Sequence, residues 1–361
     1  MTTRTFSATL TALLLAGSLA ACGSADTPQP AASASGFPTS ATGTLHLYNW
    51  TDYLDRDQLA EFTKETGIEV VLDVYDSNET MMAKLQNGGT GYDVIFPSDY
   101  AVTALREAGL LVPIDVRTFP NFPNVKPEFQ SVPWDTQREY TAPYMYGTTG
   151  IACNPSKSNC AGITSWHDYF TTTDPSVSSI KDEGDVVSAA LRAVGVPSTD
   201  LCTSDKSKYA AALTLLKGFH PMAIDSDSST ERMLNGDSGL MQTWNGEIRR
   251  MRTRIPDIIY IYPVEGVNRW SDNMAVPVGA QNIDAAKIFI NWMMDPKHIA
   301  AQSNYTGYDN SIDGASAFMG ADLTSDPAII PPPGAAMNPT PDCPQQVRDL
   351  YSEVFTTWLA Q

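Results

Sequence analysis

The chain has 361 residues, with 23 Lys or Arg against 41 Asp or Glu, for a formal net charge of −18. That length supports two packed lobes rather than a single core, and 42% hydrophobic with 18% charged residues is an ordinary soluble globular composition. So acidic a chain argues against nucleic acid as a partner, because phosphate binding needs a basic footprint. It suits a cationic ligand, whose local concentration an acidic field raises, and equally well serves solubility alone.

At the N-terminus Arg4 precedes an apolar run, Ala8 to Ala20, that is too short to stay in a bilayer as a spanning helix. Leu19-Ala20-Ala21-Cys22 then sets small residues before a cleavage point, as in a secretory signal. The cysteine directly after that point makes the segment resemble a bacterial lipobox. Residues 1–21 are thus expected to be a lipoprotein-type signal peptide, and Cys22 the lipidated first residue of the mature, membrane-anchored chain. Residues 22–43, rich in Ser, Ala, Thr, Pro and Gly, read as a flexible tether.

Order begins at Leu45–Trp50, whose alternation suits a strand. A helix is predicted over 55–65, closed by Gly67 as a C′ glycine. A β-branched strand follows at Ile68–Tyr75, a helix at Glu79–Gln86, a short buried strand at Asp93–Pro97, and a helix at Ala101–Ala108. This rhythm indicates an α/β lobe with a mostly parallel sheet flanked by helices. Such sheets bind ligands beyond the carboxyl ends of their strands, which singles out Trp50–Tyr53 and Ser98–Tyr100. Further along, helices are predicted at 183–194, 206–218, 228–235, 246–254 and 285–294, and strands at 146–152, 239–243, 258–262 and 273–277. The Pro-rich stretch 327–344 reads as a loop, and an amphipathic helix over 345–359 closes the chain.

Besides Cys22 the cysteines are Cys153, Cys160, Cys202 and Cys343, an even number that favours disulfides outside the cytosol. Three pairings are open. The favoured one joins Cys153 to Cys160 across a short loop and Cys202 to Cys343, tying down the C-terminal tail. No C-x-x-C spacing occurs and the histidines are scattered at 46, 167, 220 and 298, so no metal site or cofactor is expected.

Seven segments in order now carry a resemblance. They are Leu47–Tyr53, Phe62–Ile68, Ser77–Met81, Tyr92–Ile95, Pro97–Tyr100, Trp244–Gly246 and Asp272–Pro277. Together they resemble the periplasmic spermidine/putrescine-binding proteins of ABC importers. The resemblance spans about 44 to 361. It implies a two-lobed periplasmic-binding-protein fold with the ligand between lobes, 44–146 plus 271–316 forming one and 147–270 plus 317–361 the other. It also implies a monomer that carries no catalytic residues, delivers its amine to permease subunits in the membrane, and works outside the cytoplasm.

Residue by residue, the resemblance assigns ligand contacts to Trp50, Thr51, Tyr53, Ser98 and Tyr100 in the first-lobe loops. Asp182 and Asp185 match an acidic pair at a helix start, where carboxylates also serve as caps. Trp244 matches a wall of the cleft. Glu247 matches an acidic contact of some putrescine-binding relatives, or is a solvated helix residue. Trp270 and Asp272, two apart on an extended segment, project to one side. Tyr308 matches a late contact. A glutamine that the family carries near the C-terminus is missing, since Pro341-Asp342-Cys343-Pro344 stands there. The chemistry is coherent: ammonium groups need carboxylates, and aromatic faces add cation–π contacts and flat walls for methylenes.

Other signals are set aside. Gly236-Asp237-Ser238-Gly239 looks like a serine-nucleophile segment but reads as a turn, because a nucleophile needs a positioned histidine. Arg249, Arg250, Arg252 and Arg254 read as a solvated helix face. The competing readings are a secreted hydrolase using the paired carboxylates Asp182 and Asp272, and the same receptor fold with another small amine or amino-acid-like cargo.

Overall fold

The computed structural model describes residues 37–88 and 91–361. The signal segment, Cys22 and the tether up to residue 36 lie outside the described residues. No described helix is long and apolar enough to cross a membrane.

Strand β1 (Thr44–Trp50) runs parallel to β2 (Glu69–Tyr75) along its whole length and parallel to β3 (Val94–Ile95) on its other side. Helix α1 (Arg56–Thr66) joins β1 to β2; the Asp55 carboxylate accepts from the Asp57 amide at its start, and Gly67 ends it at φ 76°, a left-handed turn that costs glycine little. Helix α2 (Asn78–Gln86) is capped by Ser77, and α3 (Asp99–Glu107) leaves directly from β3. The turns after β1 and β3 therefore open at the same, carboxyl end of the sheet.

Strand β4 (Thr141–Cys153) is longer than the alternation suggests and almost wholly buried. The second unit continues with α4 (Trp166–Phe170), β5 (Val177–Ser178), α5 (Glu183–Ala193), α6 (Lys206–Gly218) and α7 (Ser229–Asn235), then β6 (Leu240–Trp244), α8 (Glu247–Arg252) and β7 (Ile259–Ile261). Strand β8 (Val267–Ala275) then returns along β4, antiparallel, from Asn268 opposite Thr149 to Ala275 opposite Thr141. The register slips between Pro143 and Tyr146, where a proline is tolerated because the ladder is interrupted. After β8 come α9 (Ile283–Met293), α10 (Pro296–Thr306), β9 (Asp309–Asn310), α11 (Ala321–Thr324), β10 (Met337–Pro339) and α12 (Gln345–Leu359). The strand order is β2-β1-β3-β8-β4-β6-β5, with β10 on β8 and β7 and β9 on β4. Parallel pairs lie towards the two ends of this mixed sheet, and the antiparallel β4–β8 pair carries the chain between lobes.

The two largest of four hydrophobic clusters among the described residues follow from this layout. One gathers Leu45, Leu47, Phe62, Phe96, Tyr144 and Phe289; the other gathers Trp166, Tyr169, Phe170, Leu216, Leu240 and Trp358. Each such side chain contributes about 1.5–3 kcal/mol by burial. The stretch 327–344 is less irregular than its prolines suggest, since β10 pairs in parallel with Val267–Arg269. The disulfides join Cys153 to Cys160 and Cys202 to Cys343, the second closing a separation of 141 residues.

Candidate functional site

A cleft opens between the lobes, and all twelve residues singled out in the sequence line it. Those from the β1 and β3 turns arrive as the strand-end geometry requires. The Trp50 indole is fixed by donating Nε1–H to the Phe96 carbonyl at 2.9 Å and leans on Tyr75, with ring centroids 4.9 Å apart. Tyr100 donates its hydroxyl to Glu79 at 3.0 Å and accepts from Asn78.

Asp272 is the least exposed of the carboxylates that line the cleft. It is 5% exposed; Ser98 Oγ donates to Oδ1 at 2.6 Å and Tyr53 Oη to Oδ2 at 2.8 Å. A single antiparallel bridge between Ser98 and Asp272 holds the two segments together. Burial pushes the Asp272 carboxyl up to about 7, against the two hydroxyl bonds. Trp270, on the same side of β8, is buried; its ring meets Tyr308 edge-on at 5.1 Å, and Tyr308 in turn meets Tyr53 at 5.6 Å. The Trp270 Nε1–H has no hydrogen-bond partner among the described residues. Two glycines make this packing possible. A Cβ on Gly147 would collide with the Trp270 ring, and one on Gly246 with the Tyr308 ring.

The opposite wall is acidic. Asp182 both lines the cleft and caps α5, accepting from the Asp185 amide at 2.8 Å, so its capping role and its place in the wall coexist. Asp185 is heavily engaged: Thr149 Oγ1 at 2.7 Å and Trp244 Nε1 at 3.0 Å donate to Oδ2, and Asn268 Nδ2 at 2.8 Å to Oδ1. Burial raises both carboxyls; in Asp182 the neighbouring Asp185 adds to it, and in Asp185 the three donors oppose it. Glu247 is also raised by burial, with Arg250 opposing, and accepts the Thr230 hydroxyl. It faces the cleft rather than bulk water, so the solvated-residue reading of Glu247 falls.

Residues that the sequence left unmarked complete the lining. Asp52 and Asn78 lie inside matched segments and were legible in principle, and Asp76 borders one. Asp227, Thr230 and Thr340 carried no local signal. Thr340, next to the Pro341–Pro344 segment that lacks the family's glutamine, turns towards the cleft with a buried Oγ1 that has no partner among the described residues. The arginines of α8 correct the expectation of a solvated face. Arg249 pairs with Asp322, Arg252 with Asp326, and Arg250 with Glu247 and Asp52, so these half-buried arginines stitch the helix to its neighbours. Ser238 is buried against Ser178 Oγ and the Ser176 carbonyl, which fits a turn and not a nucleophile. On the outer face, Glu61, Glu65 and His298 bring ligand atoms within 4.8 Å of one another, but Glu65 already accepts the Trp292 indole and Glu61 pairs with Lys297.

Two α/β lobes around a deep cleft, bridged by a pair of crossing strands, define a periplasmic-type binding protein. The chain belongs to the bacterial extracellular solute-binding proteins, a family whose model matches residues 57–332. It is 33% identical over 330 residues to the spermidine/putrescine-binding periplasmic protein 1 of Haemophilus influenzae, covering 90% of each chain. To the putrescine-binding periplasmic protein SpuD of Pseudomonas aeruginosa it is 32% identical over 352 residues, again with 90% of each covered. A solved structure from Listeria monocytogenes, described as a spermidine/putrescine ABC transporter, matches with a TM-score of 0.80 at 32% identity, over 88% of this chain and 98% of that one.

Proposed function

We propose that the cleft captures a linear polyamine, spermidine or putrescine, and that closure of the lobes presents it to the permease subunits of an ABC importer. The observation that carries this reading is the composition of the cleft. Seven carboxylates face it, from Asp52, Asp76, Asp182, Asp185, Asp227, Glu247 and Asp272, together with the rings of Trp50, Tyr53, Tyr75, Tyr100, Trp244, Trp270 and Tyr308. Ammonium groups gain charge-assisted hydrogen bonds from the acids, and methylenes lie against the rings. The named relatives support the same cargo. In this reading the twelve residues singled out in the sequence form the walls of the ligand site. The moving bodies are 44–146 with 271–316 and 147–270 with 317–361, hinged where Tyr146 and Gly147 pair with Ser271 and Trp270.

A thermal-shift panel tests the cargo: putrescine, spermidine and spermine should raise the melting temperature, while choline, amino acids and ferric citrate should not. A shift from an amino acid alone would reject the polyamine. Recovery of unaltered amine after long incubation separates binding from hydrolysis. We further propose that Cys22 carries lipid and that the chain is an anchored monomer. Fractionation checks this, since Cys22→Ala should move the protein from the membrane pellet to the soluble fraction.

A further inference from the structure

The cleft contains a charge of the wrong sign for its cargo. Among the described residues that line it, Arg250 is the one cation. Its Nη1 lies 3.3 Å from Glu247 Oε2, one helical turn back on α8, and its Nη2 lies 3.6 Å from Asp52 Oδ2 on the opposite lobe. The Glu247 side chain is 16% exposed and its Oε2 already accepts the Thr230 hydroxyl. Asp52 reaches across from a left-handed backbone, φ 54°, a conformation that Asp tolerates better than most residues.

The other acids of the cleft are held differently. Asp272 is bonded by the neutral hydroxyls of Ser98 and Tyr53. Asp182 accepts a backbone amide. Neither has a cationic partner, so each keeps its full demand for an ammonium group. Glu247 and Asp52, in contrast, share a guanidinium that does not lose its proton. An ammonium group brought to Glu247 would sit beside that guanidinium, and like charges this close repel.

We propose that Arg250 is a resident counter-ion that closes the Glu247 end of the cleft to charged amines. Of the three carboxylates buried in the cleft, Asp185 already accepts from three donors, which leaves two buried cationic positions, at Asp272 and at Asp182, and the cleft selects a diamine over a triamine. This rests on the polyamine reading above and narrows it to the shorter cargo. Charge count, rather than cleft length, is what excludes the longer one.

The test is titration calorimetry of the full extracytoplasmic chain with putrescine and spermidine separately, in wild type, Arg250→Met, Arg250→Lys and the double variant Glu247→Gln/Arg250→Met. Wild type should bind putrescine at least tenfold more tightly than spermidine. Arg250→Met frees Glu247 and should move the affinity ratio at least tenfold towards spermidine. Arg250→Lys, which keeps the charge, should stay near wild type, and the double variant should lose the gain. Thermal melts of the empty variants check folding. An equal loss for both amines in Arg250→Met would mean that the arginine only ties the lobes together through Asp52, and would overturn the inference. So would an unchanged ratio. If wild type binds neither amine, the polyamine reading falls, and this inference with it.

Discussion

The two walls of the cleft are built from different materials. The first-lobe wall is aromatic, from Trp50, Tyr53, Tyr75, Tyr100 and Tyr308, with Asp272 already held by two hydroxyls. The second-lobe wall has two rings, Trp244 and Trp270, beside Asp182, Asp185, Asp227 and Glu247. The first is hung on strand ends of a sheet; the second on the start of α5, the loop before α7, α8, and the tail near Thr340. Most of the rings therefore come from one side, and four of the seven carboxylates from the other. A ligand that docks on the first wall gains the remaining carboxylates only when the lobes meet, which makes closure dependent on cargo.

The largest effect is expected from loosening the second wall alone. Cys343 lies three residues beyond Thr340 and is tied to Cys202. Replacing both cysteines by serine should cost about 4–5 kcal/mol of stability, because so long a loop is freed in the unfolded chain. Denaturant midpoints measure it. Amine affinity of the folded variant should change less than threefold. A tenfold loss of affinity at unchanged stability would instead make the tail a binding element.

The next largest effect compares two buried acids. Asp272 has two hydrogen-bond donors and Asp185 three, so Asp272 keeps more acceptor capacity for a ligand. Asp272→Asn should weaken amine binding more than tenfold, on the order of 2–3 kcal/mol for a buried ammonium group left without its charge partner. Asp185→Asn should act first on stability and on the seating of Trp244. Calorimetry on both variants decides. Equal affinities for Asp272→Asn and wild type would remove that carboxylate from the site.

Much of the first wall was legible because it depends on short-range rules. An alternating strand, a cap and a left-handed glycine place Trp50 to Tyr53 at a strand end, and the β3-to-α3 turn places Ser98 and Tyr100 likewise. Trp270 and Asp272 were legible from their spacing along β8, and the four cysteines from their number. The second wall was legible chiefly through family resemblance. Asp227 and Thr340 sit in polar or Pro-rich loops whose path is fixed only by distant partners, β10 pairing with β8 being one. The length of β4 and β8 was underestimated for the same reason, as each is the long-range partner of the other. Helix α10 went unmarked because Asp295-Pro296 reads as a break, whereas Asp295 caps it and Pro296 is its first residue. The α8 arginines were misread because a charge run does not disclose the acids, Asp322 and Asp326, that the fold brings to it.

The smallest effect concerns protons. In the empty cleft burial lifts the Asp272 carboxyl to about 7, and burial lifts Asp182 and Glu247 in the same direction. An ammonium group binds the ionised form, so below pH 7 binding must first expel a proton. Asp272 alone would be about nine-tenths ionised at pH 8 and about one-tenth at pH 6, and affinity should fall about tenfold between them. The stability of the empty protein moves the other way. A carboxyl raised above its unfolded value contributes stability that is present below about pH 4 and lost as pH rises through about 7. The thermal shift given by an amine should therefore grow from pH 6 to pH 8, with proton release measurable by calorimetry in buffers of different ionisation heat. In Asp272→Asn most of that pH dependence should vanish. If it persists undiminished, the titrating groups lie on the acidic wall, and Asp182 or Glu247 governs the coupling between protons and cargo.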